Sequence, residues 1–290
     1  MRELSSTSPK LAAKSESTWA HLDALLQAVE GQDACMGHAA LILALDAYPE
    51  LDIGEELARL DRLALPLQSL AEAESPQEQA QRLTSYLYDR LGFFGNEEDY
   101  YDPRNSYLNE VLTRRTGIPI TLAVLLMSLG RRCGIEVDGI GFPGHFLVRV
   151  GGERGVLVDP FFGGRILSAQ ALQRLAARFL GEANQLRPEH LEAVDGRSMI
   201  VRMLVNLKHA YERRRDHARA LVACDRLVDL TEGPTFRRDR GLHALALGAS
   251  AAAVADLEAY LDARPNAADS RAVMGALERA RNTNDRLNLQ

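Results

Sequence analysis

Apolar side chains recur at helical spacing through the first ninety residues. Trp19, Leu22, Leu25, Leu26 and Val29 predict a helix over Thr18–Val29, and a second helical run covers Ala39–Ala47 before Pro49. Leu57, Leu60 and Leu63 share one face of a third run from Ile53 to Leu65, closed by Pro66. Ser75-Pro76 opens a fourth, which carries Leu83, Tyr86, Leu87 and Leu91 and stops at Gly92. A polar, aromatic segment of turn formers (95–109) leads into a short helix over Ser106–Arg115. From Pro119 to Cys133 the chain is apolar nearly all round, the pattern of a buried helix, with Pro119 suited to its first position because the N–H it lacks would be unpaired there. After Gly134 the period falls to two. Val137–Phe142, His145–Val150 and Val156–Asp159 predict three short strands, the last two joined by a turn near Gly151-Gly152. Ser168 caps a further helix to Leu180.

Beyond about residue 196 the chain is helical again and repeats. Tyr211, Ala220, Leu227 and Leu230 align with Leu245, Val254, Leu261 and Arg264, each displaced by 34 residues, and Pro234 and Pro265 close the two units. A helix–turn–helix period of this length is the tetratricopeptide signature. The expected class is therefore α+β: a tail over residues 1–16, a helical part and helix-and-antiparallel-sheet core over 17–195, and all-α tetratricopeptide-like repeats over 196–290.

Composition bounds the chemistry. The 290 residues are 46% hydrophobic with a net charge of −6, which supplies a core and argues against whole-surface attraction to nucleic acid or an anionic membrane. The N-terminus has no apolar signal region and the longest uncharged stretch, Thr116–Gly130, is too short to span a bilayer. A cytoplasmic protein is expected. Cys35, Cys133 and Cys224 are too scattered for a disulfide scaffold and form no CxxC pair. Neither a zinc-hydrolase HExxH nor a phosphate-binding glycine loop occurs, so no metal or cofactor is expected. The acidic run Glu97, Glu98, Asp99 and Asp102 fits no calcium loop and reads as a solvated loop. The arginines at 213–215 and at 237, 238 and 240 are either an acidic-peptide docking face or ordinary charged surface.

The order of a buried helix, a strand led by His145 and a strand ending in Asp159 resembles the transglutaminase-like branch of the papain superfamily. The motifs GIPITL (117–122), PGHF (143–146) and VDPF (158–161), followed by the repeats, resemble the bacterial SirB-type proteins in particular. In active relatives a Cys opens the helix, its thiol acidified by the helix N-terminus, while a His takes its proton and an Asp orients the His. The resemblance places that Cys two residues after Gly117 and about fifteen before Gly134, and both anchors fall on Pro119. Proline has no thiol and no backbone N–H for an oxyanion hole, a donor worth roughly 3–4 kcal/mol. Thr121 is turned about 200° around the helix from residue 119, and Cys133 lies about 20 Å along it.

The resemblance leaves His145 and Asp159 either as a residual base and its orienter or as a hydrogen-bonded pair that joins two strands. Asn105, Ser106 and Asn109 either line the same groove, with Thr121 and Phe146, or cap backbone groups of the loop. The expectation is a non-catalytic transglutaminase-like module that binds a protein or peptide. The alternative is a hydrolase or amide-transfer enzyme using water, or a nucleophile other than cysteine, at His145–Asp159. Regulation of transcription enters only with the family name and has no helix-turn-helix signal behind it.

Overall fold

A computed structural model describes residues 16–30, 35–181, 186–231 and 233–288. Twelve α-helices and six strands follow in chain order among them. The first helices are α1 (Glu16–Val29), α2 (Met36–Ala44), α3 (Ile53–Ala64) and α4 (Pro76–Thr84). Asp52 and Ser75 cap α3 and α4 by accepting the N–H groups of Glu55 and Glu78. The tail expected over residues 1–16 lies, apart from Glu16 in α1, outside the described residues.

Two elements depart from simple helical periodicity. After α3 the chain does not leave helix at Pro66 but tightens into a 3₁₀ segment, Leu65–Glu72, in which proline sits in the first turn without losing a hydrogen bond. The fourth helix ends not in α but in a π-turn, Ser85–Arg90, which carries the buried Tyr88.

Strands β1 (Phe94–Gly95) and β2 (Thr116–Gly117) pair in parallel and hold the 96–115 loop, whose α5 (Leu108–Arg114) follows a 3₁₀ turn, Pro103–Ser106. Helix α6 (Pro119–Arg132) starts directly after β2, with Pro119 at its first position, and is buried along nearly its whole length. It packs on a four-stranded antiparallel sheet of β3 (Val137–Ile140), β4 (Leu147–Val150), β5 (Val156–Asp159) and β6 (Arg165–Ile166), in that order. The register Val148↔Val158 sets the beginning of β4 beside the end of β5. Helix α7 (Ala169–Leu180), capped by Ser168, covers a small second core around Phe142, Leu147 and Leu172.

The repeats are α8 (Gly196–Arg213), α9 (His217–Leu230), α10 (Pro234–Ala246), α11 (Ser250–Ala263) and α12 (Ser270–Asn288), each packed on the next. Of these, α8 is also part of the main core: Met199, Ile200, Met203, Leu204 and Leu207 are buried with Leu25, Leu41, Leu108 and Leu122. The hydrophobic core is thus continuous across residue 195. Among the described residues no helix is long and apolar enough to cross a membrane.

The charged runs resolve into separate roles. Asp102 is buried rather than solvated: its carboxylate takes the backbone N–H and guanidinium of Arg104, and Arg114 stands 3.4 Å away, which together hold it below the usual carboxylate range against the cost of burial. Glu97, Glu98 and Asp99 are exposed. Arg238 binds Asp239 and Asp269, and Arg240 binds Asp225 and Asp256, so these two arginines join helices of the repeat stack.

Candidate functional site

His145 does not begin a strand. It occupies the turn before β4, its backbone N–H bonded to the carbonyl of Phe142, two residues ahead of Leu147. Gly144 makes that turn possible with φ +69, and a Cβ there would stand 2.8 Å from Cδ1 of Phe179. Because β4 and β5 are aligned at Val148 and Val158, the imidazole meets the carboxylate at the end of β5: Nε2 of His145 lies 3.0 Å from Oδ1 of Asp159, both side chains almost wholly buried.

Asp159 is itself held. Its Oδ1 also accepts the backbone N–H groups of Phe161 (3.0 Å) and Phe162 (3.2 Å), and its Oδ2 is buried with no partner. The π-turn contributes here, since the Tyr88 hydroxyl donates to the carbonyl of Pro160 at 2.7 Å. Burial, and then the charge of Asp159, raise the pKa of that phenol well above its ordinary value, so Tyr88 stays a neutral donor. Aromatic rings fix the imidazole plane. Phe179 stacks on it at 5.1 Å and 13°, Phe162 lies at 5.9 Å and 29°, and Phe161 meets it edge-on. With Nε2 given to Asp159, Nδ1 is the ring nitrogen that the pair leaves over.

That cleft, of about 250 Å³, is lined on one side by Pro119, Ile120, His145 and Phe146 and on the other by Arg202, Asn206 and His209 of α8, with Tyr100 at its edge. Pro119 and His145 therefore share one cleft, although 26 residues of chain separate them. The other groove candidates lie elsewhere. Asn105 is fully buried, and its side chain bridges Asn96 and the carbonyls of Asp99 and Tyr100. Thr121 donates to the carbonyl of Asn105 at 2.8 Å, so it ties α6 to the loop from the inside. Ser106 and Asn109 are buried, Asn109 with its Oδ1 unpartnered, and neither lines the cleft. Phe146 does. The α8 wall was not among the sequence candidates: Arg202, Asn206 and His209 lie on the polar side of an ordinary amphipathic helix, and only packing turns them toward His145.

None of the three thiols reaches the cleft. Cys133 caps the far end of α6 and Cys224 is buried in α9, where burial pushes its thiol up to about 12. Cys35 precedes α2. Among the described residues no three His, Cys, Asp or Glu side chains gather as a metal site would require.

A buried helix against an antiparallel sheet, with a His in the turn before one strand bonded to an Asp at the end of the next, is the arrangement of a transglutaminase-like core. The family model described as transglutaminase-like superfamily matches residues 55–205, and a tetratricopeptide repeat model matches residues 207–278. The chain is 40% identical to a UPF0162 protein of Xylella fastidiosa over 259 residues, 87% of this chain and 92% of that protein. A UPF0162 protein of Vibrio cholerae is 35% identical over 79% of this chain and 86% of its own length. A shorter stretch of 93 residues, 32% of this chain, is 40% identical to 15% of the mouse F-box only protein 21. The chain belongs to the UPF0162 family, within the transglutaminase-like superfamily, and carries tetratricopeptide repeats after the core. No solved structure gives a significant match.

Proposed function

We propose that this chain is a transglutaminase-like protein without the cysteine nucleophile, working as a protein- or peptide-binding module in the cytoplasm. One observation carries the reading: Pro119, at the first position of the buried helix, lines the same cleft as His145, which supports taking residue 119 as the nucleophile position, where proline offers neither thiol nor N–H. The α8 wall supports a binding role, because the cleft is closed on one side by the helix that runs from the transglutaminase-like match into the tetratricopeptide repeats, a class of repeat that presents extended binding surfaces. The net charge of −6 favours a protein partner over nucleic acid. The GIPITL, PGHF and VDPF motifs support placing the chain among SirB-type proteins.

The test is to restore the missing group. A Pro119→Cys protein, in a Cys35→Ser background, should acquire a thiol that reacts with iodoacetamide about tenfold faster at pH 6 than an unperturbed cysteine, and His145→Ala should remove the gain. A residue-119 thiol no faster than free cysteine would falsify the assignment. The retained His145–Asp159 pair, with His145 lining the cleft, favours a second reading, a hydrolase or amide-transfer enzyme that activates water. Loss in a His145→Ala variant of any turnover on peptide or amide substrates would select it.

A further inference from the structure

The wall of the cleft contributed by α8 carries a cation that has no counter-ion among the described residues. Arg202 spends Nη2 on two main-chain carbonyls, those of His145 (2.5 Å) and Phe142 (3.2 Å), and lays its guanidinium 5.3 Å from the centre of the Phe146 ring. These contacts hold the group in place but leave its charge uncompensated. The neighbouring cations differ. Lys208, Arg226, Arg238 and Arg240 each bind a carboxylate within 2.7 Å, whereas Arg202 has none among the described residues. The residues lining the cleft include no aspartate or glutamate. Asp159 stands behind the imidazole, its accepting oxygen already shared by three donors.

Arg202 is half-buried, and a guanidinium that has given up part of its hydration regains free energy from a carboxylate partner. Burial lowers the pKa of Arg202, which only the nearby Tyr100 opposes. Among the described residues the N–H on Nε and the two on Nη1 have no acceptor, and in a cleft of about 250 Å³ they stand with Tyr100, His145, Asn206 and His209 as the polar side chains that line it. One guanidinium balances one negative charge, which fits a carboxylate better than a phosphate dianion.

We infer that the cleft captures a carboxylate of the bound peptide, with Arg202 as its receptor and His145 beside it. The inference rests on the reading of the cleft as a peptide site and names the group that site selects. The carboxylate belongs either to the partner's chain end or to an acidic side chain, and the same experiment separates the two.

The isotope-labelled full chain is titrated with three acetylated tripeptides: trialanine with a free carboxylate, trialanine amide, and alanyl-glutamyl-alanine amide. The Nε–H resonance of Arg202 and the ring resonances of His145 report on the cleft. Movement with free trialanine assigns the chain end, and movement with the glutamyl amide assigns the side chain. In either case trialanine amide should leave both sets unmoved, and Arg202→Gln should weaken binding about tenfold or more. Arg202→Lys, which keeps the charge, should retain part of it. The comparison of the three peptides on the unaltered chain stands even if an Arg202 variant fails to fold. Equal shifts with trialanine amide overturn the carboxylate assignment and leave the peptide cleft in place. No shift with any of the three overturns both.

Discussion

Oδ1 of Asp159 receives Nε2 of His145 and two backbone N–H groups, while Oδ2, also buried, receives nothing among the described residues. The asymmetry makes the aspartate a hub for the turn after β5 as much as an orienter of the imidazole. It also fixes the tautomer, because a carboxylate can only accept. The bond therefore requires a proton on Nε2, and long-range ¹⁵N–¹H spectra of His145 should show that nitrogen protonated. Asp159→Ala strands three donors and should cost about 3 kcal/mol or more in denaturant unfolding. Asp159→Asn keeps an acceptor but aims an amide N–H₂ where no acceptor exists, and should cost about 1–3 kcal/mol. Equal costs for the two variants would exclude the hub role.

Gly144 couples backbone strain to the same ring. Alanine there must adopt φ near +69 and place its Cβ 2.8 Å from Phe179, the ring stacked on His145. Gly144→Ala should therefore destabilise by about 1–3 kcal/mol and move the His145 ring resonances. Alanine at Gly163 has the same kind of backbone strain, φ +71, but open space around it, and should leave the ring signals in place.

How much of this was legible in the sequence depends on where the signal lies. The helical runs, Pro119 at the head of α6, Ser168 as a cap and the displaced repeat follow from periodicity and local chemistry, and each has its counterpart in the fold. His145 and Asp159 are findable because each sits in a short motif. The π-turn at Ser85–Arg90 is not, since its wider hydrogen bonding leaves no distinct apolar period in six residues. Strands β1, β2 and β6 are two residues each, too short for any alternation. Buried Asn105 and Thr121 look in sequence like groove residues, because a polar side chain that satisfies backbone groups has the same spelling as one that faces a ligand. Arg202 stands 57 residues after His145, and nothing local announces their meeting.

The repeat stack contains an acid-sensitive joint. Burial works against the charge of Glu212, but hydrogen bonds from His243 and Lys208, together with the Lys208 charge, outweigh it and bring the carboxyl from 4.5 to about 2. A carboxylate with a lowered pKa adds stability that is complete above its unfolded value and disappears as pH falls through its folded one. Unfolding free energy should therefore decline between about pH 5 and pH 2. The Glu212 share is about 1–2 kcal/mol, after discounting for a side chain that is about one-third exposed. Glu212→Gln should lower stability at pH 7 by that amount and flatten the slope; an unchanged slope would show that other carboxylates set it.

The repeats are not an appendage to the core. Five apolar side chains of α8, Met199, Ile200, Met203, Leu204 and Leu207, lie in the main core, and fully burying each is worth about 1.5–3 kcal/mol. Their sum, on the order of 10 kcal/mol, is comparable with the whole stability of an ordinary domain. Two polar links reinforce the junction: Arg226 of α9 grips Asp46 through both carboxylate oxygens, and the Tyr107 and Tyr211 hydroxyls meet at 2.7 Å. A fragment ending at residue 195 should lack a cooperative thermal transition, whereas one ending after α9, at residue 231, should melt cooperatively. Arg226→Met should destabilise the full chain by about 3 kcal/mol, because Asp46 is left without its partner in a mostly buried site. A sharp melt of the 195-residue fragment near the full-length temperature would mean that the core closes without α8, and that the far wall of the His145 cleft is an addition to a finished domain.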